Sequence, residues 1–258
     1  MGAIHQALLA MKNLVGDAPF LSPLNEPTTD FWLKANSLSL SDGDPVALWE
    51  DLAAGGKDYG AAGSARPTFK SGILDGKAVV RFATDDVLTP TGSAFTYGEN
   101  NTMFVVCTKR TSGTGYIFSG DHAALEGGPS FITGYSNGGT PRDFEYFSRG
   151  FGERKIFATS ASAGFHVLAI RRDDGGSFGE TYQLFFDGPQ VESNLVIGDD
   201  NWNGVHLTRI GRGPTAGDFY NGDIAEIIHC NSLLDNSTLN RMYGYLLNEY
   251  PSLSVTLL

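Results

Sequence analysis

Cysteine is scarce in this 258-residue chain, basic charge is never clustered, and long apolar runs are missing. Each shortage removes a class of protein. The two cysteines, Cys107 and Cys230, sit far apart in apolar, strand-like runs, so buried free thiols are expected and a disulfide scaffold is not. A helix that spans a bilayer needs about 20 consecutive apolar residues, and no stretch approaches that, so no membrane partner is expected. Lys and Arg number 18 against 29 Asp and Glu, a formal net charge of −11, with no positive patch to meet a phosphate backbone. Nucleic acid is therefore not an expected partner. The five histidines show no H-x-x-x-H spacing, and no G-x-S-x-G elbow accompanies the many serines. Gly211-Arg212-Gly213 follows a strand, but no helix opens after it to cradle a phosphate.

What is abundant points to β-structure. The chain has 33 Gly and 12% aromatic residues, a composition suited to short strands joined by tight turns. Strands are expected at Ala78–Phe82, Thr102–Cys107, Tyr116–Phe118, Phe165–Ile170, Tyr182–Phe186, Leu207–Ile210 and Ile224–Ile228. Turn signals separate them at Asp75-Gly76, Asn137-Gly138-Gly139, Asp187-Gly188 and Asn221-Gly222-Asp223. A helix is expected over residues 235–250. Asp235 caps it, Leu239, Met242, Tyr243, Leu246, Leu247 and Tyr250 form one apolar stripe, and Pro251 ends it. Ahead of the strands, Ile4, Leu8, Met11 and Val15 make a short amphipathic helix over residues 1–16. Such a helix is marginal alone and needs a surface to dock on. A Pro-rich linker occupies residues 17–29, and the sandwich follows over residues 30–258. Met1–Phe20 carries a single Lys and does not read as a secretory signal, so synthesis and retention in a cytosol are expected.

Specific residues then narrow the class. Phe31-Trp32-Leu33-Lys34-Ala35-Asn36-Ser37-Leu38, followed by Gly43, Val46, Trp49, Asp51, Gly56 and Asp58, resembles the opening of the LamG-like jelly-roll domains of the concanavalin A-like superfamily. Arg66–Phe69 and Gly76–Phe82 resemble that family's next hairpin, Tyr182–Gly188 its Y-x-L-Y-V-D-G strand and turn, and Phe219–Ile228 its closing strand. The likeness runs over about 220 residues in family order. It departs at Leu52-Ala53, where Ser-Gly is usual, and lacks a Glu early in the final helix. The resemblance implies an all-β, two-sheet antiparallel jelly-roll sandwich with an N-terminal helical arm and a C-terminal helix, and places Trp32 and Trp49 in the core.

Laminarinase-type glycoside hydrolases share this fold and carry E-x-D-x-x-E, two carboxylates acting as nucleophile and acid/base. The nearest match here is Asn221-Gly222-Asp223-Ile224-Ala225-Glu226, with Asn221 at the nucleophile position, so no catalysis is expected. Binding has better candidates. Trp202 sits in the polar run Asp199-Asp200-Asn201-Trp202-Asn203-Gly204, where an indole face with Asn201 and Asn203 beside it suits a sugar. Asp199 and Asp200 are candidate Ca²⁺ ligands, and no other cofactor is expected. The Gly- and Tyr-rich stretch Glu126–Gly152 offers a partner surface or ordinary turns.

The resulting expectation is a non-catalytic virion structural protein of a tailed phage, since LamG-like domains with short N-terminal arms occur in such particles. Capsid decoration is favoured over a tail or fibre role. The partners would be the major capsid protein, copies of this chain, and cell-surface glycans, and the place of assembly the host cytoplasm. A bacterial carbohydrate-binding or adhesion module is the alternative, and a degenerate glycoside hydrolase the second.

Overall fold

The computed structural model describes residues 21–83, 85–97, 100–108, 115–121, 130–137, 140–148, 153–158, 161–173, 180–197, 206–213 and 217–258. They form an antiparallel β-sandwich with one α-helix. The larger sheet contains β1 (Thr29–Lys34), β4 (Thr68–Leu74), β5 (Lys77–Phe82), β8 (Asn101–Thr108), β13 (Phe165–Asp173), β14 (Glu180–Phe186), β15 (Gln190–Ile197) and β17 (Gly222–Cys230). Its order is β15-β14-β13-β8-β17-β5-β4, with β1 also pairing with β17. The second sheet runs β12 (Glu153–Ala158), β11 (Thr140–Ser148), β10 (Ser130–Asn137), β9 (Gly115–Asp121), β16 (His206–Ile210), β7 (Phe95–Thr96). Three short strands, β2 (Leu48–Trp49), β3 (Tyr59–Gly60) and β6 (Thr89–Pro90), form a third, small sheet. The helix α1 (Asn236–Glu249) follows β17.

All seven expected strands are present, and each belongs to a longer or equal observed strand. Three expectations need correction. Residues 126–152 contain all of β10 and β11, which are neighbours in the second sheet rather than a run of turns. Asn221-Gly222-Asp223 is not a turn between strands: Gly222 and Asp223 open β17 and pair with Phe82 and Arg81. Gly222 is required there because a Cβ would press into the Tyr220 ring. The third is the set of expected strands, which omits β12 and β15 among the longer ones. The expected helix 1–16 lies outside the described residues, and Ile4, Leu8, Met11 and Val15 with it.

The hairpin signals have a backbone cause. Asp75-Gly76 and Asp187-Gly188 both adopt positive φ at both positions, 51° and 77° in the first and 50° and 99° in the second. That is the two-residue primed turn, whose twist matches the strands it joins. Gly188 has a further constraint, since a Cβ there would overlap the Thr256 carbonyl. The Thr256 amide in turn donates to the Asp187 carbonyl at 2.9 Å, so the C-terminal segment straps this hairpin.

The larger sheet is buried on both faces. Met103, Val105 and Cys107 of β8 point into the core between the sheets, with Ile117, Phe118, Leu207 and Ile210 opposite. Phe104 and Val106 point the other way, against Leu239, Met242, Tyr243 and Leu246 of α1. This explains why β8 and β17 read as unbroken apolar runs rather than alternating ones. The two cysteines are free, buried and on opposite faces of the sheet. Trp32 and Trp49 are both core residues.

One ionisable group sits under the helix. Glu226 of β17 has no solvent exposure. Its Oε1 accepts from Trp32 Nε1 at 2.6 Å and Tyr245 Oη at 2.8 Å, and its Oε2 from Tyr250 Oη at 2.8 Å. Lys34 Nζ donates to Tyr245 Oη at 3.1 Å and reaches Glu249 at 2.9 Å, which places a cation just outside the network. Burial lifts the Glu226 carboxyl above its ordinary range, against the pull of Lys34 and the three donors. Three residues further along the same strand, His229 Nδ1 donates to Asp30 Oδ1 at 2.6 Å, and burial pulls the imidazole below its ordinary value.

Replacing Glu226 by Leu strands three buried donors and is expected to cost about 3–5 kcal/mol in urea denaturation. Glu226→Gln keeps an acceptor for Trp32 and Tyr245 and should cost about 1–2 kcal/mol at neutral pH. The pH dependence has a definite sign. The folded state binds a proton at Glu226 where the unfolded state, with its ordinary value of 4.5, remains ionised. Wild type should therefore gain stability relative to Glu226→Gln as pH falls from neutral, levelling off below 4.5.

Candidate functional site

The glucanase-like segment can be judged first. Asp223 opens β17 and is held by Arg81, Nε to Oδ1 at 2.7 Å and Nη2 to Oδ2 at 2.8 Å. Glu226 is sealed beneath α1 with its three donors. The ladder to β8 shifts register between Ile224 and Glu226, a bulge that turns Glu226 to the face covered by α1. Neither pairs with the other. A hydrolytic carboxylate pair needs both groups open to one sugar ring, so this strand serves as a strut.

A second constellation was not legible in the sequence. His166, at the start of β13, is held by Asp187 in the β14–β15 turn, Nδ1 to Oδ2 at 2.7 Å. The other Asp187 oxygen accepts from the Val167 amide at 2.9 Å. On the far side of the ring, Nε2 lies 3.2 Å from Ser162 Oγ, which completes the order Ser–His–Asp. The local detail reads against an activated nucleophile. The Ser162 carbonyl oxygen lies equally close to Nε2, at 3.2 Å. The carbonyl competes with the hydroxyl for Nε2, so that nitrogen is not reserved for the serine proton. Ser162 Oγ also accepts from the Gly164 amide at 3.3 Å, a local turn in which the hydroxyl closes the chain on itself. The group is a latch that ties the entry of β13 to a strapped hairpin.

A third place opens to solvent. A cleft of about 380 Å³ lies where β13 and β14 meet the segment leading into α1. Arg171, Asp173, Thr181, Gln183, Leu233 and Asp235 line it. Arg171 is nine-tenths buried and fixed on three sides: Nε donates to Gln183 Oε1 at 2.8 Å, and Nη1 to Leu234 O at 2.9 Å and Asn236 Oδ1 at 2.8 Å. Asp235 Oδ1 accepts from the Thr238 amide at 2.7 Å, which caps the helix and holds the carboxyl below its ordinary range. Only the run Arg171-Arg172-Asp173-Asp174 at a strand end could have hinted at this cleft, and such a run ordinarily means a solvated edge.

The binding residues expected from the sequence, Trp202, Asn201 and Asn203, lie outside the described residues, as do the candidate Ca²⁺ ligands Asp199 and Asp200. Among the described residues no group of three or more His, Cys, Asp or Glu is gathered to hold a metal ion.

No protein family model matches the chain, and no curated protein matches it in sequence. Solved structures do resemble it. The chain aligns over 95% of its length with Trypanosoma rangeli sialidase in complex with sialic acid, at a TM-score of 0.53 and 13% identity. It aligns over 88% with the binding domain of botulinum neurotoxin serotype D, at 0.61 and 12%. It aligns over 80% with an arabinofuranosidase complexed with arabinofuranosyl-α-1,2-xylobiose, at 0.58 and 13%. The chain spans 38% of that sialidase, 53% of the neurotoxin binding domain and 51% of the arabinofuranosidase. At this identity the likeness is one of fold, an antiparallel β-sandwich shared with two glycosidases and a toxin binding domain.

The latch assignment has a direct check. A fluorophosphonate probe should leave Ser162 unlabelled under conditions that saturate a serine hydrolase, and labelling that His166→Ala abolishes would reverse the assignment. Ser162→Ala should shift stability by less than about 1 kcal/mol, and His166→Ala by about 2 kcal/mol, because only the latter removes the tie to Asp187.

Proposed function

We propose that this chain is a non-catalytic binding and structural domain, and that its setting is the particle of a tailed phage, most simply as a capsid decoration protein whose exposed surfaces contact glycans. The observation that carries the non-catalytic part is Glu226. The one carboxylate that falls at a catalytic position of the glucanase pattern is enclosed by Trp32, Tyr245 and Tyr250 and has no exposure. Freeing it would mean lifting α1 off the sheet.

The glycan part is supported by the fold, because two of the similar structures are complexes with a sugar. The particle setting is supported by the LamG-like residues of Phe31–Asp58 and by the amphipathic pattern of residues 1–16. The net charge of −11 speaks against nucleic acid as the partner. Many copies on one shell would turn weak glycan contacts into avidity. An adhesion module fused to or exported with a bacterial enzyme would share the sandwich but not the particle.

Mass spectrometry of gradient-purified particles should find the chain in fixed ratio to the major capsid protein. Its absence from particles would end the virion reading and leave the adhesion module. Deleting residues 1–16 should abolish incorporation while leaving the melting temperature within about 2 °C of the full chain. Incorporation of the truncated chain at wild-type level would remove the docking role of Ile4, Leu8, Met11 and Val15.

A further inference from the structure

We propose that the cleft between β13, β14 and the start of α1 binds a neutral saccharide unit. The inference rests on the reading of this domain as a glycan binder, and it gives that reading a site that the sequence did not suggest.

The charge on the walls selects the ligand class. Arg171 presents one positive group and Asp173 and Asp235 present two negative ones. The two carboxylates oppose a phosphate, sulfate or carboxylate, and the guanidinium opposes a metal ion or an ammonium. A neutral ligand remains. The hydrogen-bonding groups then ask for hydroxyls. Carboxylates only accept and the guanidinium only donates, whereas Thr181 and Gln183 do both. A ring of hydroxyls, each able to donate and accept, answers all of them at once. Gln183 Oε1 is taken by Arg171 Nε, which fixes the amide with its NH₂ turned away from the guanidinium.

Size and preorganisation agree. The cleft volume of about 380 Å³ lies near the lower end for small-ligand sites, room for one or two sugar rings rather than a folded partner. Arg171 is already immobilised by its bonds to Gln183, Leu234 and Asn236, so binding need not freeze it. Leu233, 41% exposed at the rim, offers an apolar surface to the C–H face of a ring. Among the described residues no aromatic ring lines the cleft to stack on the sugar, so affinity per unit should fall in the millimolar range, about −4 kcal/mol.

The test uses the full ¹⁵N-labelled chain, titrated with the methyl glycosides of glucose, galactose, mannose and N-acetylglucosamine, and separately with inorganic phosphate and calcium chloride. At least one glycoside is expected to shift the amides of residues 171–173, 181–183 and 233–236 saturably. Thr181→Trp, which fills the cleft from β14, should weaken that binding at least about tenfold, and Leu233→Ala about threefold. Leu233→Ala, at an exposed rim, keeps the test open should the larger substitution fail to fold. Shifts at these amides caused by phosphate or calcium and by no glycoside overturn the proposal. Glycoside shifts that map elsewhere and survive both substitutions also overturn it, while the glycan reading of the domain stands. If no glycoside shifts any amide, the cleft and the glycan part of the function fail together, and incorporation into particles is unaffected.

Discussion

The Glu226 carboxylate binds together three segments that lie far apart in the chain. Trp32 comes from the first strand, Tyr245 from the helix and Tyr250 from its C-terminal cap, and all three donate to one group on the closing strand. A buried carboxylate costs several kcal/mol to desolvate, so it persists only where its surroundings return that cost in hydrogen bonds. Here three hydrogen bonds and Lys34 offset part of it, and the geometry that results is specific. The helix cannot slide along the sheet without stranding the charge, which fixes its register in a way that the greasy contacts of Leu239, Met242 and Leu246 would not. Lys34 and Lys77 extend the grip outward, both reaching Glu249 at the end of α1.

That grip explains the double burial of the larger sheet. One face packs against the second sheet, the other against α1 and the segment after it, which ends with Leu258 and Asn240 exchanging hydrogen bonds. With both faces covered, what a ligand could reach is left to edges, turns and the seam where strands meet the helix. The Arg171 cleft lies on such a seam, and its guanidinium is held by β14 and by the segment that enters α1.

How much of this could be read from the sequence depended on range. Elements whose cause is local were legible: the apolar runs of β8 and β17, the Asp-Gly turns with both residues at positive φ, the Asp235 cap and the stripe of α1. Features whose cause is distant were not. Gly222 looks like a turn residue, and only the Tyr220 ring shows why a side chain is forbidden there. Asp187 looks like turn chemistry alone, yet it holds His166 from 21 residues away. β10 and β11 were obscured by glycine and tyrosine, which spell turns as readily as strands. The expected binding residue Trp202 lies outside the described residues, and the Arg171 cleft was not expected because its walls come from two strands and a helix entry.

Similar sandwiches occur in glycosidases and in a toxin binding domain, so one frame can host either role. In such a β-sandwich, a carboxylate can do chemistry when its strand faces an open groove and cannot when a helix lies across it. Asn221 for a nucleophile is one substitution, but Glu226 beneath Trp32, Tyr245 and Tyr250 is a structural commitment. Restoring a carboxylate at position 221 would leave the second group inaccessible, and exposing Glu226 would cost the register of the helix. A route to hydrolysis through this strand would therefore pass through a loss of stability, whereas binding at an edge or seam asks nothing of the core. Selection for recognition is free to act on cleft walls such as Thr181 and Leu233 while the buried carboxylate holds the frame still.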